Sequence, residues 1–199
     1  MTIMAANEYK LFRTADTAAG TGVLTVVDGT AALLGNGTAF TTQLVAGAII
    51  TVGANVMAIR SITDDDDAVL QSVLVTGFAA QAFMYNNLVN VSALSPAVKA
   101  PRSIYKQWQA KVDLGNGIAR AVGRPSCQWI WGFISQGQYG ALRTILASAS
   151  ARTYIRTRTT ENTDRYDTME AVYLWPDELD RQATRRVGFS ISWRDLVLL

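Results

Sequence analysis

Histidine is absent from the 199-residue chain, and cysteine occurs once, at Cys127. The commonest general base and the commonest metal ligand are therefore both missing. Ser–His and Cys–His nucleophile pairs cannot be built, and a zinc site lacks its thiolates. No phosphate loop of the GxxxxGK[ST] type and no GxGxxG turn ahead of a helix occurs. Gly20-Thr21-Gly22 and Gly35-Asn36-Gly37 lie between strand-like runs, where turn geometry accounts for them. What remains is carboxylate chemistry. The run Asp64–Asp67 has the charge that calcium favours, but it lacks the alternating ligand spacing and the glycine bend of a calcium loop. It reads as a solvated turn that discourages edge-to-edge strand pairing. A glycosidase would hold two carboxylates about 5 to 9 Å apart. The acids available to it are Glu161, Asp164, Asp167, Glu170, Asp177, Glu178 and Asp180, and no pair among them stands out. The expectation is a protein without catalytic residues, metal or cofactor, and not an enzyme.

Arginine is the more informative residue. Arg152, Arg156, Arg158 and Arg165, then Arg181, Arg185, Arg186 and Arg194, concentrate in the final third. In an extended run, Arg156 and Arg158 share a face with Tyr154, while Thr153, Ile155, Thr157 and Thr159 share the other. A face lined by guanidinium groups is too polar for a core. It can meet carboxylates of another subunit in bidentate pairs, stand in solvent, or meet nucleic acid phosphates. Interspersed acids and scarce lysine break up any clean basic stripe, which favours the first of these. The residues expected at a subunit interface are Arg152, Arg156, Arg158, Arg165, Arg185 and Arg186.

The elements that must position these groups differ between the two halves. Residues 1–100 carry four basic against seven acidic side chains, and residues 101–199 carry fourteen against nine. All five tryptophans (Trp108, Trp129, Trp131, Trp175, Trp193) fall in the second half. Two domains are expected, 1–95 and 96–199, joined through Asn86–Pro101. In the first, Val23–Val27 and Thr30–Leu34 flank Asp28-Gly29, and Ala48–Val52 and Val56–Ile62 flank Gly53-Ala54-Asn55; both are hairpin signals. Thr38–Leu44 reads as a polar connector. In the second, Ile104–Leu114 reads as a long strand turning at Gly115-Asn116-Gly117 into Ile118–Gly123. Cys127–Ile134 reads as a buried strand, and Ser135 as the cap of a helix from about Gln136 to Ala147. Arg152–Thr159, Thr168–Trp175 and Val187–Leu198 follow as strands. Phe189, Ile191 and Trp193 alternate with polar residues in the last. Tyr139, Leu142, Ile145 and Leu146 fall on one face of the helix. The fold class expected is mainly β: two small β-sandwich or barrel domains, the C-terminal one with a single packed α-helix. Trp129, Trp131 and Trp193 belong to its core. The tryptophans could also stack on sugars if exposed, but core packing is the stronger reading; for Trp108 and Trp175 both readings stay open. No run reaches the roughly 18 apolar residues of a membrane helix, and Met1–Arg13 predicts no signal peptide. A lone cysteine fits a chain that needs no disulfides.

Two stretches resemble structural proteins of tailed bacteriophages. Gly22–Ile62 orders a strand, Asp28-Gly29, the segment Gly37–Leu44, Gly47 and a strand pair ending Ile59-Arg60-Ser61-Ile62; it is similar to a small β-module of tail and fibre proteins. The C-terminal region has a Trp-rich strand followed by one helix, then Tyr154-Ile155-Arg156-Thr157, Tyr173-Leu174-Trp175-Pro176 and the closing strand Phe189–Leu196. It resembles the tail-tube-like domains of tail tubes and distal tail proteins. The resemblance implies a virion protein of the tail, assembled in the host cytoplasm. Its partners would be itself in a ring, hexameric for preference, and other phage tail proteins. It implies no membrane and no small-molecule substrate, with DNA at most passing through a lumen. The module order is the reverse of that usual in distal tail proteins. A receptor- or glycan-binding module of a tail fibre is the alternative.

Overall fold

The computed structural model describes residues 8–12, 17–115, 119–159, 165–176, 180–182 and 185–199. Its strands are β1 (Lys10–Leu11), β2 (Thr17–Ala19), β3 (Val23–Val26), β4 (Thr30–Asn36), β5 (Ile49–Val52), β6 (Asn55–Ile62), β7 (Asp67–Leu74), β8 (Phe78–Gln81) and β9 (Met84–Asn86). They continue as β10 (Val89–Asn90), β11 (Arg102–Lys106), β12 (Ala110–Asp113), β13 (Ala119–Val122), β14 (Ser126–Ile130), β15 (Phe133–Ser135), β16 (Ser150–Arg158) and β17 (Tyr166–Leu174). The last are β18 (Asp180–Gln182), β19 (Arg185–Val187) and β20 (Ser190–Leu198). A short helix α1 spans Phe40–Gln43, and the longer α2 spans Gln136–Ile145. The protein is mainly β, as its turn chemistry and alternation predict.

The chain divides into two compact units, one of Met1–Leu11 with Asn90–Val197 and one of Phe12–Val89 with Leu198–Leu199. The boundary expected at residue 95 thus lies nearer 90, and the N-terminal strand belongs with the C-terminal unit. The reason is long-range pairing: Lys10 faces Arg156 and Leu11 faces Ile155. A two-residue strand has no local signature by which to announce such a partner.

The unit of residues 12–89 is one eight-stranded sheet, ordered β2-β9-β5-β6-β7-β4-β3-β8. Both expected hairpins form. Gly29 turns β3 into β4 with φ +71°, and Gly53, with φ +57°, turns β5 into β6, where Val52 faces Asn55. These left-handed angles carry no steric cost in glycine. The sheet encloses Leu24, Leu33, Phe40, Ile50, Ile59 and Leu70, all nearly or fully buried. The segment expected to be a polar connector contains α1, because Phe40 must reach this core beside Phe83. The acidic turn has work of its own there. Asp64 Oδ1 accepts the amides of Asp66 and Asp67, and Asp65 Oδ1 accepts the Thr41 amide in the first turn of α1.

The other unit is built on a seven-stranded sheet, ordered β10-β1-β16-β17-β20-β14-β11. It is rolled tightly: Ser103 on the edge strand β11 lies 3.4 Å from Thr157 of β16, and its hydroxyl reaches Tyr9 beside β1. Inside the roll, Trp129, Ile155, Ile191 and Trp193 are fully buried, and Trp129 packs edge-on against Trp193 and Tyr9. A three-stranded sheet, β15-β19-β18, stands apart from it. Ser135 caps α2 with a complete capping box, its side chain bonded to the Gln138 amide while Gln138 reaches back to the Ser135 amide. Leu142 and Leu146 are buried, and Tyr139 and Ile145 pack beside them. Trp175 closes the helix end by donating to the Leu146 carbonyl.

The two strands expected as Ile104–Leu114 and Cys127–Ile134 are each interrupted, at residues 107–109 and at Trp131-Gly132. The first break leaves the register unchanged. Lys106 faces Ser126 before it, and Ala110 faces Val122 after it, so β12 and β13 continue the β11–β14 hairpin outward. The turn expected at Gly115-Asn116-Gly117 falls partly outside the described residues.

All five tryptophans lie in this unit, so their fluorescence reports its unfolding. Leu142→Ala should lower its stability by about 2–5 kcal/mol, measured by urea denaturation. Tyr9 supplies a second test. Burial, then the neighbouring Tyr166 hydroxyl, raises its pKa from 10.0 to about 12. The folded state thus holds this proton more tightly than the unfolded chain. Its contribution is intact below pH 10 and is lost as pH rises through about 12. Tyr9→Phe should flatten the fall in urea midpoint across that window.

Candidate functional site

The structure distributes the six arginines among three settings. Arg152, Arg156 and Arg158 line the outer face of β16. Arg152 is exposed and meets Glu170 at 3.2 Å. Arg156 is buried, with Nε donating to Glu8 at 2.7 Å and Nη1 facing the Thr168 hydroxyl at 3.4 Å. Its register partner Lys10 has a lowered pKa, through burial first and then the Arg156 charge, with Glu8 acting in the opposite sense. Arg158 is half-buried. Arg165 forms a second setting, its Nε donating to the buried Asp167 at 3.0 Å while Thr159 donates to the other carboxylate oxygen. These guanidinium groups fasten β1, β16 and β17 together within one chain.

Arg185 and Arg186 form the third setting, on β19 in the separate three-stranded sheet. Arg185 is exposed and lies over the ring of Phe133, which is itself exposed. Arg186 points inward, only 4% exposed, stacked 3.6 Å from the Tyr139 ring centroid with Nη2 donating to Gln136 Oε1 at 3.0 Å. Its Nε and Nη1 are buried without a hydrogen-bond partner. Arg194 is exposed; the side chain of Arg181, like Glu161, Asp164, Asp177, Glu178 and the side chain of Asp180, lies outside the described residues.

Two further surfaces lie in this unit; the hairpin of the first was expected from the sequence, but neither its exposure nor the second surface was. The first is the ribbon β12–β13. Every residue of β12 and three of the four in β13 are exposed, including Val112 at 45%, with Leu114 at 54% just beyond. Trp108 at its base is 38% exposed. Lys106, Lys111, Arg120 and Arg124 are all exposed along it against one acid, Asp113. Gln109 ties the base to Asp195 at 3.2 Å. The polar triplet Gln107-Trp108-Gln109 was the available clue to the break. The second is a cleft of about 310 Å³, floored by Trp131 and Ile134 and flanked by Lys99, Arg102, Phe133 and Gln138.

Among the described residues no three metal-ligating side chains cluster, and no helix is long and apolar enough to cross a membrane. The acids of the 64–67 turn are engaged locally. The Thr41 hydroxyl, then the Thr41 amide, hold Asp65 below the usual aspartate value. The Cys127 thiol is pushed up by burial and accepts its surroundings as a small core residue. No protein-family model, curated protein or solved structure matches this chain.

The arginine settings predict unequal costs. Arg152→Ala, at an exposed pair, should change stability by less than about 1 kcal/mol. Glu8→Gln leaves the buried Arg156 without its counter-charge and should cost about 3 kcal/mol. Urea denaturation followed by tryptophan fluorescence separates the two.

Proposed function

We propose that this chain is a structural subunit of a bacteriophage tail, a tail-tube-like or distal tail/baseplate ring component that assembles with its own copies and contacts neighbouring tail proteins. The observation that carries the reading is the ribbon β12–β13. A two-stranded ribbon is marginal in water by itself. This one holds a β-conformation with both faces exposed and bears Trp108, Val112 and Leu114 on its surface. Burying those side chains against another subunit removes apolar area from water and completes the pairing that an isolated ribbon lacks. Its excess of cations suits an acid-bearing neighbour and would set the orientation of docking. The paired arginines of β16 and Arg165 are taken up within the chain, which leaves the ribbon as the surface offered for contact. In the resemblance to tail proteins the rolled sheet forms the ring, and the unit of residues 12–89 contacts other components.

A second reading, a receptor- or glycan-binding module of a tail fibre, is favoured by the exposure of Trp108, whose indole face could stack on a sugar ring.

Mass photometry and negative-stain imaging of the full chain test the first reading. Rings are expected, and replacing residues 108–122 by a short Gly-Ser turn should abolish them while leaving the fluorescence-detected melting of the rolled sheet within a few degrees. A protein that stays monomeric at all accessible concentrations, or rings that persist without the ribbon, would overturn it. Monomers that bind cell-surface polysaccharide through Trp108 would favour the second.

A further inference from the structure

Among the described residues, Arg186 has no counter-charge. The guanidinium is nine-tenths buried or more, its nearest polar contact is the neutral amide of Gln136, and Nε and Nη1 touch neither solvent nor an acceptor. Burial of an unpaired cation is strongly unfavourable, and proteins keep such groups when an anion completes them. The local field compounds the problem. Gln136 is the first residue of α2, a ten-residue helix, so the cation sits at the end where the helix dipole is positive. An anion placed here would be stabilised by both the guanidinium and the positive end of the helix dipole. The ring of Tyr139 holds one guanidinium face at 3.6 Å, which leaves the edges of the plane as the binding surface. Gln136 is exposed, so moving one flexible surface side chain opens Nη2 to a ligand.

We propose that Arg186 is a carboxylate-binding site, completed when a planar carboxylate displaces the Gln136 amide and pairs side-on with the guanidinium. A carboxylate matches the fork in size and plane and can accept two parallel N–H bonds. The carboxylate is either that of a small free acid or the side chain of a second copy of this chain. The site stands without the ring reading; the second source rests on it.

The test is thermal melting of the full chain by tryptophan fluorescence, with sodium acetate against sodium chloride at equal ionic strength, alongside mass photometry. Three variants enter: Arg186→Met, Arg186→Lys and Gln136→Glu. The last places a carboxylate on the chain itself, where the amide now accepts from Nη2, and so fills the site internally. If the source is a free acid, acetate raises the wild-type melting temperature saturably by about 2–4 °C. Arg186→Met and Gln136→Glu show no such rise, and Arg186→Lys shows a smaller one. If the source is a second copy, acetate is silent, wild type self-associates, and Arg186→Met and Gln136→Glu remain monomers with melting temperatures at or above that of the wild-type monomer. Should Arg186→Met not fold, Gln136→Glu decides by the same readouts. The proposal is overturned if Gln136→Glu keeps the wild-type response to acetate and the wild-type self-association. An acetate shift in a protein that never assembles would sink the ring reading and leave this site standing.

Discussion

The rolled sheet is organised around one buried hydrogen bond. Trp129 is fully buried on β14, and an indole N–H removed from water must find an acceptor or carry the cost of its lost hydration. It finds Thr157 Oγ1 at 2.9 Å, on β16, which is separated from β14 in the sheet by β17 and β20. A flat sheet could not bring these two residues together. The Cys127 thiol and the Ser103 hydroxyl extend the same cluster, 3.3 Å apart, to the far edge strand. The core of the unit therefore contains a small chain of polar groups that fixes how far the sheet rolls, with Trp131, Trp193 and Tyr9 packed around it. Hydrophobic burial would favour many arrangements of these rings, and the directional bond selects one.

The surfaces proposed for assembly hang from that roll at two points along β14. At its start, the β11–β14 hairpin runs past the rim as the ribbon, in unbroken register. At its end, Trp131 donates to the Lys99 carbonyl and the chain leaves the sheet at Gly132 for β15 and α2. Ile134 on β15 then faces Arg186 on β19. A rigid strand thus sets both the reach of the ribbon and the position of the buried guanidinium.

The features legible in the sequence are those with local causes. Asp28-Gly29 and Gly53-Ala54 mark their hairpins because the turn needs backbone angles that few residues supply. Ser135 and the spacing of Leu142 and Leu146 mark α2 because capping and periodicity are both short-range. Alternation around Ile191 and Trp193 gives their burial directly. Other features depend on partners far along the chain. Nothing in Lys10-Leu11 announces pairing with Arg156 and Ile155. Adjacent arginines at 185 and 186 look alike in sequence, yet the strand sends one to solvent and the other beneath Gln136. Arg156, read as part of a polar outer face, is buried because Glu8 comes from the other end of the chain to meet it. Phe40 inside an otherwise polar segment was a sign of α1 that composition alone hides.

The way the chain leaves and re-enters the rolled sheet has a consequence for its evolution. It departs after β1 and returns at β10, and these strands are neighbours, with the Val91 amide bonded to the Tyr9 carbonyl at 2.9 Å. Seventy-odd residues are therefore carried between two adjacent points of the host sheet. Because the two ends of the gap are adjacent, the host sheet does not itself fix the length of the segment between them. The unit of residues 12–89 is in this sense a cassette, exchangeable while the host sheet stays constant. The cassette also includes Leu198–Leu199, whose Leu199 carbonyl accepts from Gln71 at 3.2 Å and from Ser72 at 2.7 Å, so an exchange must replace that chain end as well.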